Sequence, residues 1–281
     1  MRCDSHVHIV GPQARYRQVP GRTYLAGVAS VETLQELGAQ RGIGRFVVVQ
    51  PSFYGIDNAA TLDALDALGG NGRGVAVIDP AATSAETLAG YDRRGVRGLR
   101  LNLYSPIKAP GAGTLDQALA ATADAARKMG WHVQVVASLP MLLANVDRLA
   151  RAPAAVVIDH YGLYGDKRPD SEEGRRLLDL VRLPHVWMKL SAPYRHDRGP
   201  MNTQPDREWL AALIAAAPHR CVWGSDWPHP PEHTQHQGAM VETPYRALSY
   251  ETLVDDFIAA LPSLDLVEQV MGGNAARLYG F

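Results

Sequence analysis

The stretch Ala155-Val156-Val157-Ile158-Asp159-His160 is a β-branched apolar run that stops on a carboxylate and an imidazole. It is too short for a helix and lacks apolar/polar alternation. It therefore reads as a strand buried on both faces, as a parallel sheet covered by helices requires. The same form occurs twice more. Cys3-Asp4-Ser5-His6-Val7-His8 ends on two histidines, and Cys221-Val222-Trp223-Gly224-Ser225-Asp226-Trp227-Pro228-His229-Pro230 carries a carboxylate just past its run. Working outward, strand-length runs span Arg2 to His8, Phe46 to Pro51, Val75 to Asp79, Val96 to Leu103, His132 to Ala137, Ala154 to His160, Val186 to Ser191 and Cys221 to Asp226.

The segments between these runs read as helices with local start signals. Thr83-Ser84-Ala85-Glu86 and Thr114-Leu115-Asp116-Gln117 have the form of capping boxes, and the second pattern runs to a C-capping Gly130. Ser30, Asn58, Ser171 and Ser249 are further N-cap candidates. Strand and helix alternate eight times, which predicts an α/β fold: a single (β/α)8 TIM barrel domain over residues 1–281. An open doubly wound sheet is the alternative, but no glycine-rich phosphate loop follows the first run. Four connections are too long for plain turns: Ile9 to Ala29, Tyr161 to Asp170, Pro193 to Pro205 and Pro228 to Leu248. Each follows a strand, on the face where barrel enzymes carry their chemistry.

The bulk properties exclude some partners. With 28 basic and 29 acidic side chains the net charge is −1, so nothing draws the chain to nucleic acid or an anionic membrane. No apolar run approaches the ~20 residues of a membrane span, and Met1-Arg2-Cys3-Asp4-Ser5 has no signal core. The expectation is a soluble cytoplasmic protein, a monomer or homodimer. The two cysteines, Cys3 and Cys221, begin strands and read as buried free thiols.

If the runs are strands of one barrel, His6, His8, His160 and Asp226 meet at its mouth. His6 and His8 share a strand face, and imidazoles there either coordinate zinc or polarise a carbonyl. The fourth and fifth strands offer no His, Lys or Glu as further ligands, and Arg100 would repel a cation, so the local chemistry leans away from a tightly held metal. Arg100 and Arg195, at or just past strand ends, suit a substrate carboxylate or a salt bridge to a loop carboxylate such as Asp197. Ser52 and Tyr24 are placed to donate hydrogen bonds. His132, His185, His196, His219, His229, His233 and His236 are not assigned to the chemistry; His132 is expected to face away from it. Trp223 and Trp227 read as barrel packing.

Taken together, Asp4-Ser5-His6-Val7-His8, Val48-Val49-Gln50-Pro51-Ser52, Asp57 to Ala64, Arg73 to Pro80, Arg97-Gly98-Leu99-Arg100-Leu101-Asn102, Gly130-Trp131-His132-Val133, Val157-Ile158-Asp159-His160, Trp223 to Pro230 and Asn274 to Tyr279 resemble the 2-pyrone-4,6-dicarboxylate lactonase family of the amidohydrolase superfamily. The resemblance spans nearly the whole chain. It implies a hydrolase on an amidohydrolase-type barrel that opens an anionic lactone, such as a carboxylated pyrone or muconolactone, without a metal. Asp226 would take a proton from water, and His6, His8 and His160 would polarise the carbonyl. Ser52, Tyr24, Arg100 and Arg195 would bind the substrate.

Three positions depart from the family pattern. Pro106 stands where a carboxylate-binding arginine is expected, with Lys108 as a possible substitute charge. Val136 replaces a tyrosine, and Pro231 an asparagine. The resemblance therefore implies the same reaction on a different anionic lactone. The alternatives are a sugar-acid lactonase holding zinc or manganese at His6, His8, His160 and Asp226, a lactone isomerase, an aromatic-acid decarboxylase, and a non-catalytic binding protein.

Overall fold

All eight apolar runs form strands in the computed structural model, which describes residues 1–105, 107, 115–196, 199–233 and 238–281. They are β1 (Arg2–Val7), β2 (Ile43–Val49), β3 (Gly72–Ala76), β4 (Val96–Asn102), β5 (His132–Val136), β6 (Val156–Ile158), β7 (Val186–Ser191) and β8 (Cys221–Gly224). Each pairs in parallel with the next. The first and last strands close the ring just beyond β8: the His8 amide donates to the Trp227 carbonyl at 2.8 Å and the Asp226 amide to the His6 carbonyl at 2.9 Å. The fold is the expected (β/α)8 barrel.

Alternation along the strands sorts side chains into two apolar groups. Val47 and Val49 point inward with Cys3, Val75, Val157, Trp187 and Val222, and Tyr279 of the C-terminal helix (Asn274–Tyr279) stoppers that end. Phe46 and Val48 point outward, into the larger cluster shared with Leu34, Leu65, Leu177, Leu213 and Phe257 of the surrounding helices. Register shifts occur in β1 and between β3 and β4, and the one in β1 shapes the site. Asp4 pairs with Phe46 and Val7 with Val48, so three residues of β1 pass against two of β2. This bulge lets Cys3, His6 and His8 all face inward while Val7 joins the outer cluster.

Helix starts follow the local signals, with two corrections. Ser30, Ser171 and Ser249 each accept a backbone N–H three residues on. In the Thr83-Ser84 pair the cap is Ser84, bonded to the Thr87 amide. Asn58 makes no cap bond, because its side chain is spent on the Val77 backbone. Thr114, Pro106, Lys108, Asp197 and His236 lie outside the described residues. Two long connections meet over the mouth, where Leu25–Ala26 pairs in parallel with Glu242–Thr243. Among the described residues no helix is long and apolar enough to cross a membrane.

Candidate active site

Three strand ends, those of β1, β6 and β8, bring the site together. Gly224 makes the approach of β8 to β1 possible: a Cβ there would lie 2.6 Å from His6 Cβ. The buried Asp4 carboxylate pins the same seam. Its Oδ1 accepts the His6 amide at 3.1 Å and the Ser225 amide at 2.9 Å, and its Oδ2 accepts the Tyr250 hydroxyl at 3.1 Å. Burial pushes its pKa up to about 6. Among the described residues, every non-glycine with positive φ follows β6, β7 or β8: His160, Tyr161, Leu163, Ala192, Asp226 and His229. Such backbone costs about 1–3 kcal/mol per residue and concentrates where side chains must be aimed.

At the centre is the Asp226 carboxylate. Its Oδ2 is saturated: the Tyr194 hydroxyl donates at 2.8 Å, and Arg195 donates through Nε at 2.9 Å and Nη2 at 2.8 Å. Its buried Oδ1 has no hydrogen-bond donor, yet lies 3.3 Å from His8 Nε2 and 3.5 Å from His6 Nε2. Burial opposes ionisation of Asp226, but Arg195 and the surrounding histidines outweigh it and hold the carboxyl well below the usual range.

The imidazoles are oriented from behind. His8 Nδ1 lies 2.7 Å from the Val49 carbonyl, which only accepts, so that nitrogen carries the proton. His6 Nδ1 faces Asp159 Oδ1 at 3.4 Å, and His160 Nδ1 meets Ser191 Oγ at 2.9 Å. Burial lowers the His6 pKa to about 3 and keeps His160 well below its ordinary value, so both rings are neutral at pH 7. Two sets of ligand atoms lie within metal-binding range of one another: His6, His8 and Asp226, and His6, Asp159 and His160.

Asp226, His8 and His160 line a pocket together with Arg100, Arg195, Ser52 and Tyr24, while His6 sits beneath it, fully buried. Tyr104, Asn102, Val136, Pro230, Pro231 and His233 complete the walls. Arg100 donates Nη1 to the Gln50 carbonyl at 2.8 Å, but its buried Nε has no partner, and no carboxylate pairs with it among the described residues. Arg195 lines the pocket and also donates to Asp226 itself. His132 is kept from the chemistry, as expected, by its place along the barrel. It lies inside the barrel against Tyr279, at the end opposite the mouth. Trp223 and Trp227 are packing residues, as expected.

Sequence reading missed the polar support below the pocket, formed by Gln134, Asp159 and Lys189, and the Tyr194 hydroxyl beside Asp226. Lys189 and Gln134 did leave a signal, as single polar residues inside otherwise apolar strands.

Comparison with known proteins adds the family. A family model described as amidohydrolase matches residues 3–281. The 2-pyrone-4,6-dicarboxylate hydrolase of Comamonas testosteroni is 32% identical, with 98% of this chain and 89% of that one covered. The 4-sulfomuconolactone hydrolase of Hydrogenophaga intermedia is 31% identical over 80% of this chain and 74% of its own. A solved Pseudomonas putida structure, provisionally assigned as a 2-pyrone-4,6-dicarboxylic acid hydrolase, superposes with a TM-score of 0.80 at 29% identity, covering 99% of this chain and 97% of that one.

Proposed function

This chain belongs to the amidohydrolase family, is an enzyme with lactone-hydrolysing relatives, and from that premise we propose that residues 1–281 act as one domain that opens a carboxylated lactone by adding water. One observation carries the reading. Asp226 Oδ1, a buried carboxylate oxygen with no donor among the described residues, faces two imidazole nitrogens beside a pocket that also holds the Arg100 guanidinium, which has no described carboxylate partner.

Arg100 recognises the substrate's carboxylate through the N–H groups that Gln50 leaves open, and thereby fixes the ring's orientation. The lactone carbonyl oxygen turns toward His160 and toward the positive charge that His6, His8 and Asp226 gather between them. Asp226 Oδ1 takes a proton from the attacking water and returns it to the leaving oxygen. Tyr194 and Arg195 occupy Oδ2, so Oδ1 is the oxygen left to act. The same two residues make Asp226 a weak base, so its water must be acidified where it sits.

The donor set meets that need. With protons on Nδ1, His6 Nε2 and His8 Nε2 present lone pairs to Asp226 Oδ1, and three acceptors facing one another call for a positive charge between them. Either a shared proton or a divalent cation such as zinc or manganese fits, the cation held by His6, His8 and Asp226 with second partners fixing the rings. Such an ion, when bound, supplies carbonyl polarisation and a lowered pKa for water. The test is a hydrolysis screen of carboxylated six-membered pyrones and five-membered muconolactones, with elemental analysis of the purified protein and a chelator arm. Ring opening of at least one class supports the reading. Loss of activity on chelation, restored by zinc or manganese, assigns the positive charge to a metal. A protein that opens no carboxylated lactone under either condition refutes the function.

A further inference from the structure

Lys189 is a fully buried lysine on β7, inside the barrel and below the pocket. Its Nζ donates to Gln134 Oε1 at 2.7 Å and lies 3.8 Å from Asp159 Oδ1. Gln134 in turn donates through Nε2 to Asp159 Oδ2 at 3.0 Å. Asp159 Oδ1 then faces His6 Nδ1 at 3.4 Å, and His6 Nε2 faces Asp226 Oδ1 at 3.5 Å. An unbroken line of polar contacts thus runs from Lys189 to the carboxylate at the reaction centre. Every member is buried.

Placing a lysine there is costly. An ammonium loses its hydration inside a barrel and persists only when paired. Burial lowers the Lys189 pKa to about 8, which leaves it charged at pH 7. A core built for stability alone would carry an apolar side chain at this inward position. What the ammonium secures is the orientation of Gln134: with Oε1 bound to Nζ, Nε2 turns to Asp159 Oδ2, and Asp159 Oδ1 is left facing His6 Nδ1. Facing an acceptor, His6 keeps its proton on Nδ1 and presents the Nε2 lone pair to the pocket side.

We propose that Lys189 is a positioning residue for the reaction: through Gln134 and Asp159 it holds His6 in the Nδ1–H form, with Nε2 directed at Asp226. Lys189 touches neither substrate nor Asp226; it acts through the neighbours that do. This assignment rests on the hydrolase reading for its kinetic consequence, but not for its structural one.

The experiment uses full-length protein with 15N-labelled histidine, as wild type, as Lys189→Met and as the charge-balanced Lys189→Met/Asp159→Asn double variant. His6→Asn protein identifies the His6 signals. NMR of the imidazole nitrogens reports the tautomer directly. In wild type the proton is expected on Nδ1. In Lys189→Met the Gln134 amide loses the donor that fixes it, Asp159 is no longer held facing Nδ1, and the His6 proton shifts toward Nε2. In kinetics, Lys189→Met should lower kcat by about 10- to 100-fold while KM moves less than threefold. The double variant should lose no more than the single one, because both act along one line of contacts. Should Lys189→Met fail to fold, Gln134→Met, which cuts the same line and leaves both charges in place, carries both readouts. A His6 tautomer in Lys189→Met identical to wild type, or a further loss of kcat from Lys189→Met to the double variant, overturns the proposal. If no lactone is hydrolysed at all, the tautomer measurement still decides it, separately from the hydrolase reading.

Discussion

The two sides of the pocket are built differently. On the side formed by β1, β6 and β8, every functional group is held by another: Asp226 by Tyr194 and Arg195, His8 by Val49, His160 by Ser191, His6 by Asp159. On the opposite wall, Arg100 has one described hydrogen bond and no described partner for Nε, and Val136 is an apolar part of the pocket lining. The first side is preorganised for one set of charge movements and tolerates little change. The second is a recognition surface whose polar groups await a partner. Chemistry and specificity are thus carried by separate walls, and they should respond to mutation in different kinetic constants.

The largest effect should come from the preorganised side. Asp226→Asn removes the open carboxylate oxygen, and steady-state kinetics should show kcat reduced about 1000-fold or more with KM little changed. Turnover near the wild-type level would dissolve the distinction between the walls. The same substitution breaks a buried ion pair, so urea unfolding at pH 7 should find the variant about 3 kcal/mol less stable. The pH dependence follows from the depressed pKa of Asp226: a carboxyl held below its unfolded value of about 3.8 contributes stability above that pH and loses it as the pH falls further. The gap between variant and wild type should therefore narrow below pH 4, and a gap that stayed constant down to pH 3 would contradict the pairing.

On the recognition wall, Arg100→Met should raise KM about 100-fold, close to 3 kcal/mol, with kcat within about threefold. Folding stability should hold or rise, because a buried charge with no carboxylate partner among the described residues is removed. A fall in kcat equal to the rise in KM would place Arg100 in the chemistry instead. The smallest effect is expected at Val136, where Val136→Ala should change the ranking of carboxylated lactones by less than about tenfold and leave the best substrate's kcat unchanged. Competition assays with paired substrates would measure it.

The same contrast governs what could be read from the sequence. The eight strands were legible because a strand buried on both faces needs an apolar run whatever its neighbours are. Their C-terminal ends were not. The sixth was expected to reach His160, but β6 stops at Ile158, because His160 turns into left-handed backbone to enter the pocket. Serine caps at 30, 171 and 249 were legible because their bond reaches only three residues along the chain. The β1 bulge was invisible, since pairing register depends on β2.

At the site, strand-end histidines and Asp226 could be found one at a time, whereas their partners could not. The contact of Arg195 with Asp226 was not legible, because nothing in Pro193-Tyr194-Arg195 shows that the loop after β7 turns back onto Asp226. Asp159, Gln134 and Lys189 lie on or beside three different strands, so their shared network appears only when the barrel closes.

The central claim is that the His6, His8 and Asp226 cluster adds water to an ester carbonyl oriented by Arg100. It is tested most directly by running turnover of a carboxylated lactone in 18O-water and weighing the product. The account predicts one labelled oxygen in the newly formed carboxylate and a product heavier than the substrate by one labelled water, with no such product from Asp226→Asn. A product of unchanged mass, or one lighter by carbon dioxide, would contradict it.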